Sequence, residues 1–166
     1  MQSDVDVVRA VYDAFGRADL AAILALFRPD VTVYQSPALP WGGTHEGHDG
    51  LLTFMATLSR TIRSQVTTES MVPDGAGHVV QVGRTRGRVR ATEARFDLFE
   101  CHVWTVRDGQ VARYEVYLDT EGMLAALAAP APEVVSPAPE LVSPAGRSTP
   151  PAGVQLPPAR RPRPGS

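Results

Sequence analysis

The chain has 166 residues, 43% of them hydrophobic and 20% charged, with a formal net charge of −2. That length suffices for one domain with a solid core and not for two full ones. The charge argues against general nucleic-acid binding, whose usual footprint is a strongly basic surface, and the single cysteine, Cys101, excludes an intrachain disulfide or a Cys-rich zinc site.

Ser3 is placed to cap a first helix, with Asp4 and Asp6 in its first turn. Val7, Val8, Val11, Ala14 and Phe15 follow at helical spacing. Asp19 caps a second, short helix that turns Leu20, Ile23, Leu24 and Phe27 inward and stops near Pro29. Val31 to Tyr34 reads as a strand, and the run containing Pro37, Pro40, Gly42, Gly43 and Gly47 as a loop. Leu51, Leu52, Phe54, Met55 and Leu58 mark a third helix. Strands are expected near 65–72, 78–91, 94–106 and 110–118. Asp108-Gly109 forms a tight hairpin between the last two, and a short closing helix spans 121–128. Helices first and strands afterwards point to an α+β fold with an antiparallel sheet.

Composition changes after Ala129. Eleven of the 15 prolines fall in residues 130–166, which lack aromatic residues and periodic apolar positions. The expected organisation is a folded domain over 1–129 and a disordered Pro-rich tail over 130–166 with polyproline II character. The tail ends in a short basic cluster, Arg160-Arg161-Pro162-Arg163, that either docks a partner protein or is simply solvated. The N-terminus lacks the pattern of a secretory signal, and no apolar run approaches the ~18 residues of a membrane span. A cytoplasmic protein with no membrane or nucleic-acid partner is the expectation.

Three stretches, VVRAVYDAFGRADLAAILALFRPDVTVY, WGGTHEGHDGLLTFMATL and HVWTVRDGQVARYEVYLDT, resemble the nuclear transport factor 2-like superfamily. The resemblance spans about residues 3–127. It implies three N-terminal helices packed on a curved, cone-shaped antiparallel sheet around an apolar pocket, commonly with dimers formed through the outer sheet face. The fold hosts isomerases, cyclases, hydrolases, dehydratases and plain binding modules, so it leaves function to the site. At the positions of the ketosteroid isomerase triad this chain carries Ser36, Val11 (with Tyr12 one residue away) and His102, so that triad is absent. Tyr117-Leu118-Asp119 resembles the strand end where SnoaL-like polyketide cyclases and limonene epoxide hydrolase place an Asp. His102 matches a pocket His of some of the cyclases. The Arg-x-Asp pair of the epoxide hydrolase would fall at Arg84-Thr85-Arg86, where Arg86 replaces the second acid.

Alternation along the strands puts Phe96, Leu98, Glu100, His102 and Trp104 on one face, and Val111, Arg113, Glu115, Tyr117 and Asp119 on one face of the next strand. If both faces line the cone, His102 and Asp119 meet in an apolar pocket, where a desolvated carboxylate is a tunable base. A bulge in the last strand would instead turn Tyr114, Val116 and Leu118 inward. Asp119 has a second reading as the cap of the closing helix, and His102 as a satisfied core residue. Tyr117, Trp104, Trp41, Phe54, Phe15, His45 and Arg84 are the candidate substrate-binding residues, with Trp41 either a lid or an interface residue. The cluster His45, Glu46, His48 and Asp49 lacks the spacing of a zinc-protease helix, and no metal is assigned. Arg84, Arg86, Arg88 and Arg90 alternate, forming either an inward ladder for an anion or an outer face paired with Glu93, Asp97 or Glu100.

Two functions follow. The first is a small cofactor-independent SnoaL-like enzyme, with Asp119 as base and His102 as its polar partner. It would cyclise, isomerise, dehydrate or hydrolyse an apolar, carbonyl-bearing small molecule. The second is a non-catalytic module that binds a lipophilic ligand or dimerises. A homodimer is expected under either.

Overall fold

The computed structural model describes residues 2–131. The proline-rich segment beyond them, with its expected disorder and partner recruitment, lies outside the described residues.

Helix α1 (Asp4–Gly16) opens with a reciprocal capping box: the Asp6 amide donates to Ser3 Oγ at 3.2 Å and the Ser3 amide donates to Asp6 Oδ2 at 3.1 Å. Its apolar stripe buries Val7, Val8, Val11 and Ala14. Helix α2 (Leu20–Leu26) is capped by Asp19, whose Oδ1 accepts from the Ala22 amide at 3.0 Å. Strand β1 (Phe27–Gln35) follows directly and starts earlier than its apolar core alone suggested. The Pro/Gly-rich stretch expected to be loop contains a four-residue edge strand, β2 (Gly43–Glu46), paired antiparallel with β1. Helix α3 (Gly47–Thr61) then leads straight into β3 (Ile62–Pro73), followed by β4 (His78–Val89), β5 (Arg95–Arg107), β6 (Gln110–Leu118) and α4 (Thr120–Ala128).

The six strands form one sheet in the order β2-β1-β6-β5-β4-β3. Strands β3 to β6 pair as an antiparallel meander. The pairing of β1 with β6 is parallel, because α3 carries the chain to the far edge and the meander returns to β1 from there. The hairpin between β5 and β6 is the two-residue turn expected, with Asp108 and Gly109 at φ of 53° and 76° between the paired Arg107 and Gln110. At Gly83 a β-carbon would collide with the carbonyl of Thr67 on β3, so the close approach of the two strands there requires glycine. The β3–β4 register slips just beyond it, between Thr68 and Ser70.

One face of the sheet is apolar and covered by α1 and α3. It presents Val79 and Val89 of β4, Phe96, Trp104 and Val106 of β5, and Val111 and Val116 of β6, all buried. Burial of each such side chain contributes roughly 1.5–3 kcal/mol, which makes this face the main driving force for the fold. No helix among the described residues is long and apolar enough to cross a membrane.

The β3–β4 turn is organised by Asp74. Its Oδ1 accepts from the amides of Ala76 (2.7 Å) and His78 (2.9 Å), and its Oδ2 lies 2.7 Å from His78 Nδ1. These donors hold the carboxyl down at about 2, against an ordinary value of 3.8. A depressed carboxylate stabilises the folded turn above its unfolded pKa and loses that contribution as pH falls through the folded one. The turn is therefore expected to lose support between about pH 4 and pH 2. Carboxyl-carbon NMR should give Asp74 a midpoint near 2, whereas a midpoint at 3.8 would show the turn bonds to be absent in solution.

Candidate functional site

Between α1, α3 and the concave side of the sheet lies an open cavity of about 620 Å³, within the range of small-molecule sites. Phe15 of α1 and Phe54, Met55 and Leu58 of α3 form its apolar wall. Tyr12, His102 and Tyr114 line its inner end, and Arg63, Ser64, Gln65 and Arg90 its exposed end.

Helical spacing sets Tyr12 one turn after Val8 on the buried side of α1, so its ring points at the sheet. Its hydroxyl lies 2.6 Å from Nδ1 of His102 on β5. The other ring nitrogen, Nε2, lies 3.4 Å from Glu100 Oε2, and both of those side chains are 3% exposed. The carboxylate beside Nε2 favours the tautomer with its proton there, which leaves Nδ1 to accept from the Tyr12 hydroxyl. Burial pushes the Tyr12 phenol far above its ordinary value, so the phenol holds its proton as a donor. An aromatic layer fixes the pair. Tyr114 stacks on Trp104 at 4.0 Å and meets the His102 ring edge-on at 5.3 Å, while the Tyr12 ring meets Trp104 edge-on at 5.6 Å. Tyr12, His102 and Glu100 thus form a chain of polar groups that runs from the cavity to a buried carboxyl group.

The structure keeps His102, Phe54 and Phe15 in the cavity and sets Trp104 directly behind it. It removes Asp119 and Tyr117. In β6 the pairs Val106–Val111 and Thr105–Arg113 leave Ala112 as an extra residue, a bulge that reverses the facing of everything after it. Tyr114 and Val116 therefore point inward, while Tyr117 is 47% exposed on the outer face, donating to Glu115 and touching Tyr34. Asp119 is exposed and caps α4, its Oδ1 accepting from the Gly122 amide at 2.9 Å. It does not meet His102.

Three further expectations are corrected. Trp41 is neither lid nor interface: it is 1% exposed, with its indole N–H donating to the buried Gln35 Oε1 at 2.8 Å. His45 packs edge-on against Phe54 and pairs with the Trp41 carbonyl, outside the cavity lining. Arg84 lies on the outer face, ion-paired to Asp97 at 2.6 Å with its guanidinium over Phe99. Arg86 shares Asp97, and Arg88 pairs with Glu93, so the ladder is an outer, paired one. Glu100, one of its suggested partners, points inward instead. The strand also ends at Val89, and Arg90 turns away toward the cavity. The residues of the suspected metal cluster face separate partners: His48 the Phe27 carbonyl, and Glu46 the Thr32 hydroxyl.

Tyr12, Glu100, Tyr114 and Arg90 were not among the sequence candidates. Tyr12 was within reach, because it lies on the same helix face as Val8 and Phe15. So was Glu100, which shares strand parity with His102. Tyr114 was legible as the alternative in which a bulge turns the end of the last strand inward, and the structure follows that alternative.

Helices closed over a curved sheet, with polar groups buried at the floor of an apolar cavity, define a fold of the nuclear transport factor 2-like type. The sequence matches the SnoaL-like domain over residues 8–114, and the chain belongs to that family. A protein of Mycobacterium tuberculosis is 30% identical over 120 residues, covering 70% of this chain and 90% of that one. Among solved structures, an NTF2-like protein of unknown function from Burkholderia pseudomallei superposes with a TM-score of 0.72 at 28% identity, covering 78% of this chain and all of the other. TerC, co-crystallised with polyporic acid, superposes with a TM-score of 0.69 at 25% identity, covering 76% of this chain and 98% of its own.

Asparagine caps helices as well as aspartate does, and alanine does not. Asp119→Asn is therefore expected to leave stability and ligand binding unchanged, and Asp119→Ala to cost about 1 kcal/mol in urea unfolding, again with binding intact. Loss of ligand binding in Asp119→Asn would return Asp119 to the pocket.

Proposed function

We propose that the chain is a small cofactor-independent SnoaL-like enzyme that moves a proton on an apolar, carbonyl-bearing molecule, with Tyr12 and His102 as the groups that touch substrate. The observation carrying this reading is the 2.6 Å contact between the Tyr12 hydroxyl and His102 at the inner end of the cavity, with Glu100 beyond. The Tyr12 hydroxyl keeps its proton and donates it in a hydrogen bond to the substrate's carbonyl oxygen, which frees His102 Nδ1 to take a proton from the neighbouring carbon. The C–H electron pair moves to the carbonyl oxygen as an enolate, and the imidazolium is held by the Glu100 carboxylate. Reversal of the same steps returns the proton at another position, which is isomerisation. Enolate attack on a second carbonyl of the same molecule is cyclisation. TerC, a neighbour of this fold, was co-crystallised with polyporic acid, which supports a small-molecule ligand here.

The test needs no knowledge of the natural substrate. Exchange of the α-hydrogens of 2-tetralone in D2O, followed by NMR, asks only for a base and a dry pocket. Wild-type protein is expected to accelerate exchange over buffer. Tyr12→Phe and His102→Gln should each slow it by about 100-fold or more, the usual worth of a positioned acid–base group. Tight binding of 2-tetralone without exchange above buffer would replace the enzyme by a non-catalytic lipophilic-ligand module.

The outer sheet face favours pairing of two copies. Phe99 is 60% and Tyr117 47% exposed there, beside the half-buried Val80, Val82, Cys101 and Val103, a patch of the kind that marks an interface. Sedimentation is expected to give a dimer for wild type and a monomer for Phe99→Asp. A monomeric wild type would sink the pairing without touching the pocket.

A further inference from the structure

The exposed end of the cavity is cationic, and its charges are unequally engaged. Arg63 donates to both oxygens of Glu93 at 2.8 and 2.9 Å, and Arg88 shares the same carboxylate at 3.2 Å. Arg90 is different. It sits just past β4, its amide donating to the Thr61 carbonyl at 2.9 Å and its Nε to the Ser59 carbonyl at 2.6 Å. Both contacts are to the last turn of α3, where carbonyls lack helical partners and carry the negative end of the helix dipole. The guanidinium is thus anchored through one edge. Its two terminal amino groups have no protein partner among the described residues, and Arg90 lines the cavity with Ser59, Ser64 and Thr68. Among the described residues no acidic side chain lines this cavity. A planar donor pair held by its far edge at the mouth of an apolar pocket has the form of a carboxylate clamp.

We propose that the substrate is an organic acid: a flat, largely apolar molecule whose carboxylate is bound by the Arg90 amino groups at the mouth while its carbonyl reaches Tyr12 at the inner end. This rests on the pocket reading above and adds the substrate class to it. The wall of Phe15, Phe54, Met55 and Leu58 then takes the apolar body between the two polar ends. Arg90 is a specificity residue, remote from the reacting atoms.

Two pairs of phenols test this, each with and without a distal carboxylate: 2-naphthol against 6-hydroxy-2-naphthoic acid, and 4-phenylphenol against 4′-hydroxybiphenyl-4-carboxylic acid. Dissociation constants are measured by titration calorimetry on the full chain. Wild type is expected to bind at least one of the acids about tenfold tighter than its neutral partner, the scale of one partly exposed charge-assisted contact. Arg90→Gln should abolish that advantage and leave the neutral phenols unchanged, which also reports that the variant is folded. Arg90→Lys should keep part of the advantage. Tyr12→Phe should weaken acid and neutral phenol alike. If both acids bind wild type no tighter than their neutral partners while Tyr12 still matters, the clamp is wrong and the pocket reading stands. If Arg90→Gln weakens neutral and acidic probes equally, Arg90 only braces α3 and the proposal fails. If no probe binds wild type at all, the pocket reading fails and the proposal with it.

Discussion

One residue too many in β6 decides which side chains this protein can use. Ala112 has no partner across the β5–β6 ladder, so Val111 and Tyr114 both face the concave side although they are three apart. Continued alternation from Val111 would have put Arg113, Glu115, Tyr117 and Asp119 there, and burying unpaired charge is far costlier than burying aromatic surface. With the bulge, Arg113 and Glu115 pair with each other outside at 3.0 Å. Tyr114 instead slides under the cavity, flat on Trp104 and edge-on to His102. The bulge thus removes a carboxylate from the pocket and supplies the aromatic floor that holds the remaining polar pair.

That polar pair is set into the sheet at a cost. Glu100 Oε1, Gln81 Oε1 and Trp104 Nε1 are buried without a partner among the described residues, and each such atom costs on the order of 1–3 kcal/mol. A Leu or Val at 100 would suit a core face better. The proposed proton transfer would give that carboxyl group a task, holding His102 as an imidazolium. The two ends of the cavity differ accordingly: buried at Tyr12, His102 and Tyr114, exposed and cationic at Arg63 and Arg90.

Much of the architecture was legible in the sequence, because its signals are local. Ser3 and Asp19 cap the helices as their positions suggested, and Asp108-Gly109 makes the hairpin. The apolar alternation on β5 gave the right inward face, including His102. Legibility failed where facing is set by pairing with another strand. Strand parity carried Tyr117 and Asp119 inward, and only the β5–β6 register reverses that. Trp41 misled for a different reason: a Pro/Gly-rich context reads as exposed loop, yet its indole found a buried acceptor in Gln35. Arg90 was grouped with the outer ladder because period-two reasoning does not show where a strand stops.

The Tyr12–His102 contact joins residues 90 positions apart, one near the start of the chain and the other on the penultimate strand. During synthesis Tyr12 is made long before its partner exists, and α1 gains its full cover, from α2 and from β3 to β6, only once the meander has closed. Contacts of such long range are formed late and slowly. The Tyr12–His102 pair therefore assembles only when α1 docks on the finished sheet, and no half-folded form of this protein holds it.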